Sequence, residues 1–193
     1  MPRPAIKPLF AAAALSLLAA EARAEEVSTR VAVPEAESAW HRLSVEVDPL
    51  PFFAHGYSVG VGWRFDHVRI SASAFSSDLP GFAVGSGWSG SVRAGASLRA
   101  QLYLDARDRG FYAALQLGPV ATRYTPDAGG SPVDAYQLVL TPSVGYRWFP
   151  FDGGLYLMPA VGVGLAVATW TEGGGYQAPF AQVIAALHVG WEF

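Results

Sequence analysis

The sequence predicts an all-β fold: an eight-stranded antiparallel transmembrane β-barrel, an up-and-down meander, after a cleaved N-terminal signal peptide. Three observations predict it. From Leu43 onward apolar side chains recur at every second position, the period of a strand. Although 51% of the residues are hydrophobic, no stretch after residue 24 supplies the roughly 20 continuous apolar residues of a membrane-crossing helix. The face opposite each apolar row is made of Gly, Ser and Arg, a poor solvent surface. "YSVGVGWRF", Tyr57–Phe65, sets Tyr, Val, Val, Trp and Phe against Ser, Gly, Gly and Arg. A chain that crosses lipid without helices must close into a barrel, because every backbone polar group needs an internal partner.

The elements run in chain order. Arg3 and Lys7 precede an apolar run at residues 9–20, too short to span a bilayer, and Ala22-Arg23-Ala24 offers a small-x-small cleavage site. Residues 1–24 are therefore expected to be a signal peptide, 25–40 a flexible periplasmic segment, and 41–193 the barrel. The first strand is "RLSVEVD", the second Tyr57–Phe65, and Asp66-His67 turns into the third, "VRISASAF". The fourth, "SVRAGASLRAQLYLD", alternates most cleanly, with Leu98, Leu102 and Leu104 on one face and Arg93, Arg99, Gln101 and Asp105 on the other. The fifth is "FYAALQLGPVATRY" and the sixth "YQLVLTPSVGYRW". The seventh is "LYLMPAVGVGLAVATW" and the eighth "PFAQVIAALHVGWEF". Pro142 and Pro159 interrupt this pattern locally, since proline removes a ladder donor.

Connections alternate in length. Those after strands two, four and six are short, and those after three, five and seven are longer and richer in Gly, as in outer-membrane barrels. With even strands running inward, both termini are periplasmic. Trp63, Phe65, Phe111, Trp148, Trp191 and Phe193 then share one height on the lipid face, forming a periplasmic aromatic girdle.

Charge and composition exclude several classes. Residues 1–24 hold Arg3, Lys7, Arg23 and Glu21, so removing them takes 13 basic and 16 acidic residues to 10 and 15, a net charge of −5. Lys7 is the only lysine, so the processed chain would have none, which with its acidic balance argues against nucleic-acid binding. No Cys is present, so there is no disulfide framework, thiolate metal site or cysteine nucleophile. No phosphate-binding loop, EF-hand or zinc-hydrolase motif occurs, and no cofactor or metal is expected.

The eight short strands, ending in the alternating "LHVGWEF" with an aromatic terminus, resemble the small bacterial outer-membrane barrels of the OmpA/OmpX/OmpW type. The resemblance covers roughly residues 41–193 and is architectural. It implies a Gram-negative outer-membrane location, and recognition of Phe193 by the barrel-insertion machinery. It selects no ligand.

The expected interior carries Glu46, Arg64, Arg69, Arg93, Arg99, Asp105, Arg147, His188 and Glu192. Closure of strand eight on strand one brings Glu46 toward His188. An ion-pair network plugging the lumen fits eight strands, which leave room for side chains or one small ligand. An anion-preferring pathway is the alternative. Small inward residues of the outer half (Ser58, Gly60, Ser71, Ser73, Gly164, Ala166, Ala168) suit a cleft for one apolar molecule, unless Phe75 and Trp170 fill it. Lipid A deacylases and palmitoyltransferases share this architecture, but no Ser lies two residues from His41, His55, His67 or His188 on a shared face. His55, Ser58 and Asp78 match no known catalytic spacing, so no enzyme is expected. The reading is a structural or surface-interaction barrel contacting outer-membrane lipid and lipopolysaccharide, with Asp78, Asp127, Asp134 and Glu172 available to bridging divalent cations. A binding barrel or narrow channel is second, and a lipid A-modifying enzyme third.

Overall fold

The structure is a computed structural model that describes residues 42–193 except 106–108, 152 and 173–175. The expected signal peptide and periplasmic segment lie outside the described residues. Eight strands succeed one another in chain order: β1 (Arg42–Val47), β2 (Tyr57–Phe65), β3 (Val68–Leu79), β4 (Trp88–Tyr103), β5 (Gly110–Pro126), β6 (Val133–Arg147), β7 (Leu155–Glu172) and β8 (Ala181–Glu192). Two helical turns, α1 (Leu50–Phe53) and α2 (Gly81–Val84), lie between strands. Every strand pairs antiparallel with its sequence neighbour, and β1 closes on β8. The eight-stranded meander read from the sequence is the fold.

Period two dictates which side chains face inward. In β2, Ser58, Gly60 and Gly62 are buried while Tyr57, Val59, Val61, Trp63 and Phe65 are exposed. The polarity is inverted relative to a water-soluble barrel. Leu98 is 64% exposed and Val144 58%, whereas Arg69 is 1% and Arg147 0%. The tight turn at Asp66-His67 is opened by Asp66 in the left-handed region at φ 50°, which Asp tolerates better than most residues. Pro142 and Pro159 stay within β6 and β7. The β6–β7 ladder skips Thr141 and Pro142, running from Leu140↔Leu165 to Ser143↔Gly162.

Two irregularities redirect side chains. A bulge in β4 between Val92 and Ala94 shifts its register against β3 and β5. A second shift in β7 lets Leu138 face Ala168 while the adjacent Val139 faces Ala166. Each adds a residue to one strand, so the inside–outside assignment flips beyond it. The closing seam is short: β1 and β8 pair only from Ser44↔Glu192 to Val47↔Val189. Beyond it, the Asp48 carboxylate accepts the backbone N–H of Leu187 at 3.5 Å and of Leu50 at 2.9 Å.

Candidate functional site

The barrel interior is layered, and its lower layer is ionic. Glu46 of β1 accepts hydrogen bonds from Arg69 of β3 (2.8 Å), Tyr156 of β7 (3.1 Å) and Arg99 of β4. Arg99 also meets His188 Nε2 at 2.5 Å and donates to Ser71 Oγ at 3.2 Å. Because the guanidinium can only donate, that imidazole nitrogen accepts. Arg69 spreads its remaining donors over Gln101 (2.7 Å) and Ser44 (2.8 Å). Nearer the chain terminus, Arg147 donates to Glu192 at 2.7 Å, and Arg64 approaches the same carboxylate at 3.7 Å. Tyr156 joins the two groups, its hydroxyl on Glu46 and its ring 3.9 Å below the Arg147 guanidinium.

Strand geometry explains the convergence. Glu46, Arg69, Arg99 and His188 all occupy inward positions of their strands, and the β1–β8 seam pairs Glu46 with Gly190, two residues from His188. Glycines make room for the long side chains. A methyl at Gly62 would overlap the Arg69 guanidinium, and one at Gly190 would overlap the Tyr156 phenol. Gly190→Ala is therefore expected to push Tyr156 off both Glu46 and Arg147. Overpacking of this kind costs about 1–3 kcal/mol, measurable by urea unfolding of the barrel in detergent micelles.

Seven of the nine charged residues expected in the interior meet there: Glu46, Arg64, Arg69, Arg99, Arg147, His188 and Glu192. Two do not. Arg93 is turned to the outer surface by the β4 bulge, and Asp105 lies exposed beyond the end of β4 at Tyr103. Ala168 and Trp170, expected inward, likewise face outward because of the β7 register shift. The partners that sequence reasoning did not connect to the charges are Tyr103, Tyr112, Tyr156, Met158 and Gln101. Gln101 donates to Met158 Sδ at 3.3 Å, and the three tyrosines, Met158 and Ala114 form one buried cluster, with the Arg147 guanidinium over the rings of Tyr103 and Tyr156. Their signal was present, since they continue the inward rows of β4, β5 and β7.

The middle layer is small and polar, with Ser73 and Ser97 hydrogen-bonded at 2.8 Å. Phe75 lies over Gly95, filling space that a side chain there would take. The upper mouth carries an aromatic cap. Tyr176 stacks on Tyr124 at 4.1 Å, tilts against Trp88 at 4.8 Å and donates its hydroxyl to the Val84 carbonyl of α2 at 2.7 Å. Burial there pushes the Tyr176 phenol above its ordinary range.

The residues weighed for catalysis do not converge. His55 and Asp78 form an exposed pair at 3.1 Å, while Ser58 is buried and faces the lumen. Among the described residues no three His, Asp or Glu side chains cluster as metal ligands. Asp134 has both carboxylate oxygens engaged by Arg123, at 2.7 and 2.6 Å. The six aromatics expected to share one height (Trp63, Phe65, Phe111, Trp148, Trp191 and Phe193) are all exposed on the outer face, at the strand ends nearest the short turns. Trp63 stacks on Phe65 at 5.7 Å, and Phe111 meets Tyr146 edge-on at 5.0 Å.

No family model and no curated protein sequence matches this chain. Solved structures do. The N-terminal β-barrel domain of Pseudomonas aeruginosa OprF superposes with a TM-score of 0.50 at 15% identity, covering 79% of this chain and 97% of that one. Neisserial surface protein A (NspA) gives a TM-score of 0.46 at 11% identity, over 80% of this chain and 96% of that one. At such identities the likeness to OprF is one of fold, and the resemblance to small eight-stranded barrels holds at that level.

Proposed function

We propose that the chain is an integral barrel of the bacterial outer membrane, with both termini periplasmic, whose lumen is shut and whose role is structural or interactive at the surface. The carrying observation is the inverted polarity: apolar rows outward, and buried Arg69, Arg99, Arg147, Glu46, Asp48 and Glu192 inward, with Arg64 half-buried beside Glu192. Such a surface suits hydrocarbon, and a ring of aromatics at one height suits a membrane interface. The fold shared with an outer-membrane protein's barrel domain supports the same location. Two obstructions in series, the ionic layer and the aromatic cap, support a closed lumen.

The test is fractionation followed by planar-bilayer recording. The protein should enter the outer-membrane fraction, migrate differently on gels before and after boiling, and give no steady single-channel current. Steady current would move the assignment to the second reading, a narrow pathway. That reading draws on four guanidiniums (Arg64, Arg69, Arg99, Arg147) against three carboxylates (Glu46, Asp48, Glu192) in the interior, so its current would prefer anions. Recovery of the processed chain as a detergent-free soluble monomer would overturn both.

A further inference from the structure

The β4 bulge does more than break register. It delivers Arg93 to the outer wall, where a charge is costly at mid-membrane and tolerable only near an interface. Below Arg93 lies an outward groove of about 520 Å3, floored by Ala94, Ala96, Pro119 and Ala121 and walled by Tyr136 and Trp170. Trp170 is there only because of the β7 shift; it pairs with Tyr136 in register. Above the groove an adjoining hollow of about 210 Å3 is lined by Arg93, Thr122 and Asp134. A polar, guanidinium-edged hollow thus sits directly over an apolar trough.

We infer that this wall is a binding site for one phosphorylated, acylated lipid of the outer leaflet, an acyl chain lying in the groove and a phosphate on Arg93. This inference rests on the proposed outer-membrane location. The trough's alanine floor and aromatic walls suit a hydrocarbon chain. The charge above it is complementary to an anion. Arg123 and Asp134 neutralise each other through two short hydrogen bonds, and among the described residues Arg93 makes no ion pair. Of the other acids at this end, Glu172 pairs in register with Asp134 on the β7 side, Asp78 meets His55 at 3.1 Å, and Asp127 lies beyond the end of β5 at Pro126. A guanidinium fork matches phosphate oxygens, and continuity with the groove points to a lipid phosphate rather than a free one.

The experiment uses the full processed chain, folded in neutral detergent, with bisphosphorylated lipid A and its fully dephosphorylated form as probes. Retention of each is read by native mass spectrometry. The wild type should retain the bisphosphorylated form at least tenfold better. Arg93→Ala should bring the two forms to within about twofold, while Ala121→Phe, filling the groove, should weaken both. Heat-shifted migration on gels confirms that each variant is folded. Equal retention of both lipids by the wild type, or unchanged selectivity in Arg93→Ala, overturns the inference. If the protein still fractionates with the outer membrane, only the lipid site has failed; if it does not, the reading beneath it has failed.

Discussion

Glu46→Ala is expected to destabilise the folded barrel by about 3–5 kcal/mol, the range for leaving buried charges without their partner. Glu46 is 3% exposed and is the acid on which Arg69 and Arg99 both converge. Removing it leaves two buried guanidiniums without their shared acid, near His188. Tyr156 also loses its acceptor. The loss should appear in urea unfolding of vesicle-inserted protein, as a lower midpoint with an unchanged slope. A second variant separates charge from packing. In Glu46→Leu combined with Arg69→Met and Arg99→Leu, neither guanidinium is left without Glu46, and buried ion pairs replaced by apolar groups of similar volume are often neutral. That triple variant should recover most of the stability. If it is as unstable as Glu46→Ala, the layer holds the barrel by shape and not by charge pairing.

How much of this was legible in the sequence depends on where alternation runs unbroken. Through β2 and the lower half of β4 each inward residue could be named in advance, because a strand has only two faces and one was plainly apolar. Past a bulge that logic inverts. Arg93, Ala94 and Gly95 alternate as well in one phase as the other, since two of the three carry almost no side chain, and nothing local marks the extra residue. The same holds at Val167 and Ala168. Asp105 is exposed for a different reason: the apolar rhythm continues through Leu104, whose N–H still bonds the Phe111 carbonyl at 3.1 Å, but β4 itself ends at Tyr103. The aromatic cap was invisible for a third reason. Trp88 and Tyr124 lie at adjoining ends of β4 and β5, but Tyr176 comes from the distant connection between β7 and β8, which only the closed barrel brings over them.

Leu98→Arg is expected to cost about 2–4 kcal/mol, the penalty for arginine on the lipid face at the bilayer midplane. Leu102 looks equivalent by periodicity, but the register pairs it with Val68 beside the Asp66-His67 turn, near the interface. There the cost falls to about 0–1 kcal/mol. Gln101, by periodicity a harmless inward control, accepts a hydrogen bond from Arg69 at 2.7 Å, so an arginine there would meet a like charge. Leu98 is the better probe because it lies five residues from Arg93 and five from Tyr103. At about 3.3 Å per residue and a tilt near 40°, that is roughly 12 Å of height either way, matching an apolar band about 25 Å tall. The sign decides between environments. In water, replacing a leucine that is 64% exposed by arginine would be neutral or would improve solubility. In lipid it must cost, and cost more than Leu102→Arg or Leu104→Arg on the same face of the same strand. Unfolding free energies in vesicles that do not fall with depth in this order would mean that the exposed rows do not meet hydrocarbon.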